Sequence, residues 1–423
     1  MKLLLQHGKL PFAPFSAEKE YDLLLDNGVI EKIGENLPVG GARVLDVNHQ
    51  TILPGLIDMH CNICDPGYEY WEDIPSVSQS ALRGGYTALT CAPNTNPTVD
   101  NKTVVEYIVS KSRALSKVHI YPYGSMSIEC KGEHLAEMGE MQTAGIVAIS
   151  DGDQSVENAA FLRNVLRYAK MLHLPVITHC EDRHLSGKGV MNEGLTSLRL
   201  GLAGMPKEAE EIIVARNIIL AEAVGARLHI AHVSTRGSVE LIREAKKRGA
   251  DITCETSPHY FLLTEEAVDG YTTFAKVNPP LRTQSDMEAL LEGIADGTID
   301  VISSSHSPCG RDNKEKTFDV APYGISSLET AFPLSYTTLV KSGMISMERL
   351  MELMSGNPAQ ILGLEKKGRI AEGMDADFVV MNLDQSYEID PETFASKAKF
   401  SPFAGKTVWG RVAFTFFFFF FLE

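Results

Sequence analysis

The middle of the chain alternates short apolar runs with longer segments whose apolar residues recur three and four positions apart. The short runs have the pattern of buried strands and the longer segments that of amphipathic helices, so their alternation indicates βα units and a parallel sheet. Eight strand-like runs occur, at 56–63, 86–92, 118–123, 145–150, 174–180, 227–233, 251–255 and 300–304. Helix-like segments between them include 159–172, 208–224 and 238–248. We therefore predict an α/β fold in which residues 54–366 form a (β/α)8 TIM barrel.

The two ends of the chain have a different pattern, in which strand-like runs are separated by Gly, Pro and Asn turns. The runs lie at 3–5, 21–25, 29–33 and 44–47, and after Gly368 at 378–381 and 407–414. Both ends share this pattern and flank the barrel. We predict that residues 1–53 and 367–423 together build one small β-sandwich-like domain.

The composition is that of an ordered protein. With 423 residues and 44% apolar content, the chain can bury a large core. The net charge of -16 argues against nucleic acid and anionic membranes as partners, because phosphate binding requires a basic surface. The 7 cysteines are odd in number and scattered, which argues against a disulfide framework and favours the reducing cytoplasm.

Targeting and anchoring segments have recognisable sequence patterns. The first residues lack the pattern of a signal peptide, and no apolar run approaches the roughly 18 residues of a transmembrane helix. We expect neither export nor a membrane span. We interpret the phenylalanine run at 416–421, with Leu422 and Glu423 after it, as an artefact of the sequence rather than a membrane anchor.

Polar residues follow several predicted barrel strands, at the end where active sites of this fold form. Asp151 follows the fourth strand, and four of the 12 histidines lie at strand ends: His60, His179, His232 and His306. A single such histidine is more often a buried residue bonded to backbone, but several together favour a zinc site, because zinc prefers imidazole and carboxylate ligands. We interpret seven other histidines as structural or solvent-exposed: His7, His49, His119, His134, His173, His184 and His229.

Short motifs occur in a fixed order along the barrel. They are PGLIDMH at 54–60, DPG at 65–67, ED at 72–73, APNTNP at 92–97, HCED at 179–182, AHVST at 231–235 and KVNPPLR at 276–282. By these motifs the chain resembles the class I dihydroorotases of the amidohydrolase superfamily over nearly its whole length. The related hydantoinases and allantoinases are similar to this pattern but carry a metal-bridging carbamylated lysine on strand four. Asp151 follows that strand here, so the resemblance favours the dihydroorotase branch.

The resemblance implies a zinc-dependent enzyme of pyrimidine biosynthesis that interconverts carbamoyl aspartate and dihydroorotate by opening and closing a cyclic amide. In such an enzyme a metal-bound hydroxide attacks the ring carbonyl, and a carboxylate after strand eight moves the proton. The resemblance assigns substrate binding to Asn94 and Asn278, for which turn formation beside a proline is an equally good interpretation. It assigns metal binding to His60, Asp151, His179 and His232.

Four positions depart from the family pattern. Asn62 replaces a histidine, so a good metal ligand becomes a weak amide ligand. Cys64 replaces an arginine that binds the substrate carboxylate through a bidentate pair, and Cys309 replaces a histidine that helps to hold substrate. Ser305 replaces the catalytic aspartate, and a serine hydroxyl cannot act as a base near neutral pH. Loss of the general base alone costs about two to four orders of magnitude in rate.

The remaining ligands predict one zinc ion or none, whereas the family uses two. A new thiolate site built from Cys61, Cys64 and Cys309 is a weaker alternative, because thiols in a barrel mouth are usually small buried residues.

Two functional hypotheses remain. In the first, the protein lacks the family reaction and is a structural or regulatory partner of aspartate transcarbamoylase, itself forming a homo-oligomer, a dimer. In the second, it is an active single-metal cyclic amidohydrolase that acts on dihydroorotate or another cyclic amide through Asp151, His179 and His232. A degraded gene copy is a third explanation, and the uniform quality of the remaining motifs argues against it.

Overall fold

The computed structural model describes residues 2–16 and 18–417. Most of the phenylalanine run lies outside the described residues, but Phe416 is the last residue of a strand, and its ring stacks on Phe378 with centroids 4.8 Å apart. No helix in the described ranges is long and apolar enough to cross a membrane.

Strands from both ends of the chain form one seven-stranded sheet. They are β1 (Lys2–Lys9), β2 (Glu20–Asp26), β3 (Val29–Gly34), β4 (Arg43–Asp46), β5 (Thr51–Pro54), β16 (Phe378–Glu388) and β17 (Thr407–Phe416). The two ends meet where β16 pairs antiparallel with β5, with Phe378 opposite Pro54. Alternate residues of these strands, such as Leu23 and Leu25 on β2, are buried in one apolar core. The predicted domain built from both chain ends is therefore confirmed.

Eight parallel strands form the barrel. They are β6 (Leu56–Asp58), β7 (Tyr86–Cys91), β8 (His119–Gly124), β9 (Ala148–Ser150), β10 (Val176–Thr178), β13 (Leu228–Ile230), β14 (Ile252–Thr256) and β15 (Val301–Ile302). A short pair, β11 (Met191–Asn192) and β12 (Gly204–Met205), lies in the connection between β10 and β13. A parallel bridge between Cys61 and His306 joins the last strand to the first, and the Asn62 amide donates to the His306 carbonyl at 2.8 Å. The TIM-barrel prediction is confirmed.

Fourteen α-helices of the described chain surround the barrel and fill its loops. They are α1 (Ile74–Gly84), α2 (Lys102–Leu115), α3 (Met138–Ala144), α4 (Ala159–Met171), α5 (Arg183–Ser186), α6 (Leu195–Leu200), α7 (Glu208–Val224), α8 (Arg236–Lys247), α9 (Pro258–Leu262), α10 (Gln284–Asp296), α11 (Arg311–Lys314), α12 (Ala331–Ser335), α13 (Met347–Met351) and α14 (Asn357–Leu362). Local sequence explains their limits. In α8, for example, the Thr235 side chain caps the first turn by accepting from the Ser238 amide, and Val239, Ile242 and Ala245 form the buried face.

A buried ion pair lies where the terminal sheet meets the barrel. The Lys367 ammonium contacts the Asp377 carboxylate, and their side chains are 7% and 5% exposed. Asp375 lies 3.0 Å from the same ammonium, and His119 lies 3.5 Å from the Asp377 carboxylate. The pair therefore links the start of β16 to barrel strand β8.

Candidate metal centre

Three side chains from three barrel strands meet at the carboxyl end of the barrel. His60 follows β6, Asp153 follows β9 and His232 follows β13, and one potential ligand atom from each lies within 4.8 Å of the others. Parallel strands end at one rim, so residues just after them converge although they lie far apart in the sequence. The cluster offers two imidazoles and one carboxylate, the ligand types that zinc prefers.

Several nitrogens of this cluster lack well-directed hydrogen bonds. Both ring nitrogens of His60 and the Nδ1 of His232 lack such a bond to any described residue, although both side chains are buried. Buried polar atoms are usually satisfied, so unpaired nitrogens beside a carboxylate fit a cation held between them. His60 and His232 pack with ring centroids 3.8 Å apart, and His60 Nε2 lies 3.6 Å from Asp153 Oδ1.

The charges of the two imidazoles differ. Burial lowers the pKa of His60, but contacts with Asp153 and Glu255 more than offset burial and raise this pKa to about 10. Burial and the neighbouring positive charge of His60 hold the pKa of His232 well below its usual value. His232 is therefore neutral at pH 7 and can offer a lone pair, whereas a metal ion at His60 would have to displace a proton.

The structure does not bring Asp151 into the cluster. Its Oδ1 accepts from Ser125 Oγ at 2.9 Å and from the amides of Met126 and Ser127 at 2.7 and 3.1 Å, and its Oδ2 accepts from Ser127 Oγ at 2.7 Å. These donors hold the carboxylate on the β8 loop. Asp153, two residues later, supplies the carboxylate instead, and the two acidic residues of the Asp-Gly-Asp sequence are divided between the two roles.

His179 lies beside the cluster rather than in it. Its ring centroid is 5.7 Å from that of His232, and its Nε2 lies 3.2 Å from Glu181 Oε2. The same glutamate oxygen accepts from Asn278 Nδ2 at 2.9 Å. Burial opposes ionisation of Glu181, but these contacts lower its pKa to about 2. Asn278 therefore binds a side chain of the protein itself in this structure.

The four departing positions lie at or behind the same rim. Asn62 and Ser305 line a cavity beside the cluster, and Asn62 Nδ2 donates to Ser307 Oγ at 3.1 Å. Cys64 is buried with φ +59°, and burial raises the pKa of its thiol to about 12. Cys309 packs in a separate apolar cluster with Phe400, and burial raises its pKa too. Neutral thiols in two environments argue against the thiolate site considered above.

The cavity at the cluster is small. Its volume is about 90 Å³, and among the described residues its lining contains no arginine or lysine. Ligand sites for small molecules typically occupy about 300–1,000 Å³. Asn94 faces a neighbouring open cavity of about 780 Å³, and its Nδ2 lies 3.5 Å from Asp153 Oδ2. Asn94 and Asn278 therefore line two different cavities, with Asp153 between them, and Cys64 and Cys309 line neither.

Two buried acidic residues near this rim, Asp58 and Glu255, were missed by the sequence interpretation. Asp58 accepts from the Ser304 amide at 2.7 Å and from its hydroxyl, which links β6 to β15. Glu255, on β14, lies 3.3 Å from His60 Nδ1 and 3.5 Å from His229 Nε2. A glutamate inside an apolar strand run was the available signal. His306, counted among the strand-end histidines, faces Glu72 and Ser327 instead of the cluster.

Family models and relatives of known name both show that this chain is similar to the dihydroorotases. The family model described as dihydro-orotase-like matches residues 49–238, and the amidohydrolase family model matches residues 323–409. A dihydroorotase from Ruminiclostridium cellulolyticum is 45% identical over 98% of this chain and 97% of its own length. One from Acetivibrio thermocellus is 47% identical over 93% of this chain and 92% of its own.

Solved structures share the architecture. The L-hydantoinase (dihydropyrimidinase) from Arthrobacter aurescens superimposes with a TM-score of 0.88 at 26% identity, covering 98% of this chain and 94% of that one. The dihydropyrimidinase from Brevibacillus agri gives a TM-score of 0.85 at 23% identity, with the same coverage, and shows the fold alone.

Proposed function

The chain belongs to the dihydroorotase family of the amidohydrolase superfamily, and we propose that it is a non-catalytic member that retains one metal centre. We propose that the protein acts in pyrimidine biosynthesis, the pathway to which the dihydroorotase reaction belongs. The cytoplasm is the location we propose, and seven free cysteines in the described chain support a reducing compartment.

The observation that carries the proposal is Ser305 at the cavity wall beside His60 and His232. The family resemblance puts the proton-transferring aspartate at this position. A serine hydroxyl has no basic form near neutral pH, so it cannot take up the proton released during ring opening or closure. Asn62 and Ser307, which lie at the same wall, are bonded to each other and are not basic either.

The small cavity and its lining support the same proposal. Dihydroorotate carries a carboxylate, and the described wall offers no arginine or lysine to pair with it. Cys64 stands where the family arginine belongs, and its thiol lies 3.8 Å from the Asn62 carbonyl. The substrate would therefore lack both its anchor and its base.

His60, Asp153 and His232 would hold one zinc ion, and Asn62 has an unpaired buried Oδ1 at the same cavity. A bound ion would supply Lewis acidity at the cavity. His232 would bind as a neutral imidazole, and Asp153 would supply the negative charge. As ligands of the ion, these three side chains would bind and orient, and none would be free to move a proton.

Restoring the family residues tests the proposal. We expect the wild-type protein to bind up to one zinc per chain and to show no dihydroorotase turnover above background. The triple variant Asn62→His, Cys64→Arg, Ser305→Asp should gain turnover, and the double variant that keeps Ser305 should remain about two to four orders of magnitude slower. Turnover by the wild type at a rate close to that of the triple variant would refute the assignment.

A structural role requires a partner, and we propose aspartate transcarbamoylase, with the chain as a homodimer. An intact barrel around a silenced site supports a role that needs the surface and not the reaction. Light scattering on each protein alone and on their mixture tests it. We expect a two-chain mass for this protein and a larger complex in the mixture. Separate elution at micromolar concentration would contradict the partnership.

One observation favours a second candidate, an active single-metal cyclic amidohydrolase. The His60, Asp153 and His232 cluster is complete enough for one ion, and the open cavity of about 780 Å³ beside Asn94 has room for a larger ligand. Turnover assays of the zinc-loaded protein on hydantoins and allantoin decide between the candidates. Zinc-dependent turnover that is lost in His232→Ala would favour the second.

A further inference from the structure

A row of alternating carboxylates and imidazoles runs from the cavity into the barrel interior. Asp153 Oδ1 lies 3.6 Å from His60 Nε2, and His60 Nδ1 lies 3.3 Å from Glu255 Oε1. The other oxygen of Glu255 lies 3.5 Å from His229 Nε2. His229 Nδ1 ends the row 2.8 Å from the Thr253 hydroxyl. The five side chains come from strands or strand ends of β6, β9, β13 and β14.

Glu255 is fully buried, so the stability of its charge depends on the groups that surround it. Its side chain is 0% exposed, and neither carboxylate oxygen makes a well-directed hydrogen bond to a described residue. An ionised carboxylate in such a place is stable only when opposite or hydrogen-bonding groups surround it. Within ion-pair distance, the described structure offers it His60 on one side and His229 on the other.

We propose that Glu255 is the positioning residue of the metal centre, acting through His60. A Glu255 oxygen lies 3.3 Å from Nδ1, where it is placed to accept the proton of that nitrogen, and Nε2 of the same ring faces Asp153 and the cavity. Histidines that bind metals commonly donate their second N–H to a carboxylate, which fixes both the ring orientation and the tautomer. His229 holds the second oxygen of Glu255 and is itself fixed by Thr253. The inference rests on the metal centre of the proposed function.

His232 has no such support. Its Nδ1 lacks a well-directed hydrogen bond to a described residue, and its ring is held by contact with the rings of His60 and His179. The two imidazoles of the cluster therefore differ in how they are fixed. Removal of the Glu255 charge should loosen one ligand and leave the other in place.

Zinc affinity of Glu255→Gln, measured by competition with a chelating dye, is the first test. Loss of an outer carboxylate of this kind typically weakens metal binding about 10- to 100-fold, and we expect a weakening in this range. Glu72→Gln is the matched control, because Glu72 is also fully buried and lies 3.5 Å from an imidazole nitrogen, that of His306. The control should bind zinc like the wild type. Unchanged affinity in Glu255→Gln, or equal weakening in both variants, would overturn the proposal.

A second measurement does not depend on zinc. In metal-free protein labelled with ¹⁵N-histidine, the Nδ1 proton of His60, assigned with His60→Gln, should exchange slowly with water and should be lost from the spectrum of Glu255→Ala. Its presence in a wild type that binds no zinc would uphold the positioning role and refute the metal centre. Its absence from the wild-type spectrum would overturn the positioning role even if zinc binds.

Discussion

The buried pair of Lys367 and Asp377 gives a quantitative test of the junction between the two domains. Asp377→Asn leaves the ammonium buried, with Asp375 as its remaining carboxylate at 3.0 Å and 34% exposure. Removing one partner of a buried ion pair costs about 3–5 kcal/mol, and the remaining carboxylate puts this case near 3 kcal/mol. Lys367→Met removes the ammonium beside the buried Asp377 carboxylate and leaves His119 at 3.5 Å as its neighbour, so the cost should be at least as large. The double variant leaves no unpaired ammonium and should cost less than either single change.

Urea unfolding followed by circular dichroism measures these differences as a double-mutant cycle. We expect each single variant to lose about 3 kcal/mol or more. Because the double variant loses less than either, the coupling between the sites should be at least about 3 kcal/mol. Strictly additive losses, or single losses below about 1 kcal/mol, would show that the pair is not held in the dry junction that the structure describes.

The pH dependence of the same pair has a defined sign. Burial opposes ionisation of Asp377, but His119 and the charge of Lys367 hold its pKa below the ordinary value. A carboxylate with a lowered folded-state pKa stabilises the protein above its unfolded pKa, about 3.9, and this contribution is lost as the pH falls through the folded-state value. The stability difference between the wild type and Asp377→Asn should therefore be constant from pH 5 to pH 7 and shrink below about pH 4.

Three further predictions separate structure-based from sequence-based assignments. Asp153→Asn should weaken zinc binding with little effect on stability. Asp151→Asn should keep zinc binding but lose about 1–3 kcal/mol in urea unfolding, because it disturbs four hydrogen bonds to a buried carboxylate. The reverse pattern would restore Asp151 as the predicted ligand. Gly324→Ala should strongly destabilise the fold, because the glycine has φ +114° and an added Cβ would lie 2.3 Å from the Ser307 carbonyl oxygen. Gly343→Ala is the comparison: its φ is +81° but the space around it is open, so it should lower the free energy of unfolding by only about 1–2 kcal/mol. Zinc at 100 times its Kd should stabilise the wild type by about 2.7 kcal/mol and raise its Tm, with no shift in His232→Ala; an equal shift in both would place the ion elsewhere.

The barrel could be predicted from sequence because its strands and helices have distinct periods. Helix α7 begins and ends at the predicted residues, Glu208 and Val224, and every predicted barrel run overlaps an observed strand. Several short strands, such as β6, end earlier than their apolar runs. In the first run, residues after Asp58 are still buried, so hydropathy continues although the ladder has ended.

The site was only partly predictable. His60 and His232 could be identified because imidazoles at strand ends converge in this fold. The choice between Asp151 and Asp153 depends on the turn at Gly152 and on donors from the β8 loop, which no local pattern reports. His306 sits at a strand end like His60 and His232, yet its ring lies against the buried Glu72 instead of the cluster. Side-chain direction at a strand end is a tertiary property.

The pairing of β5 with β16 has a consequence for synthesis of the protein on the ribosome. Thr51 and Met381 are register partners, so the N-terminal strands wait for more than 300 residues before their sheet can be completed. At about 5–20 residues per second, this delay is roughly 15 to 60 s. The barrel can fold during that interval while the edge of β5 stays open to other chains. Premature termination inside the barrel would therefore yield a product with a permanently unpaired apolar edge, a substrate for chaperones and proteases.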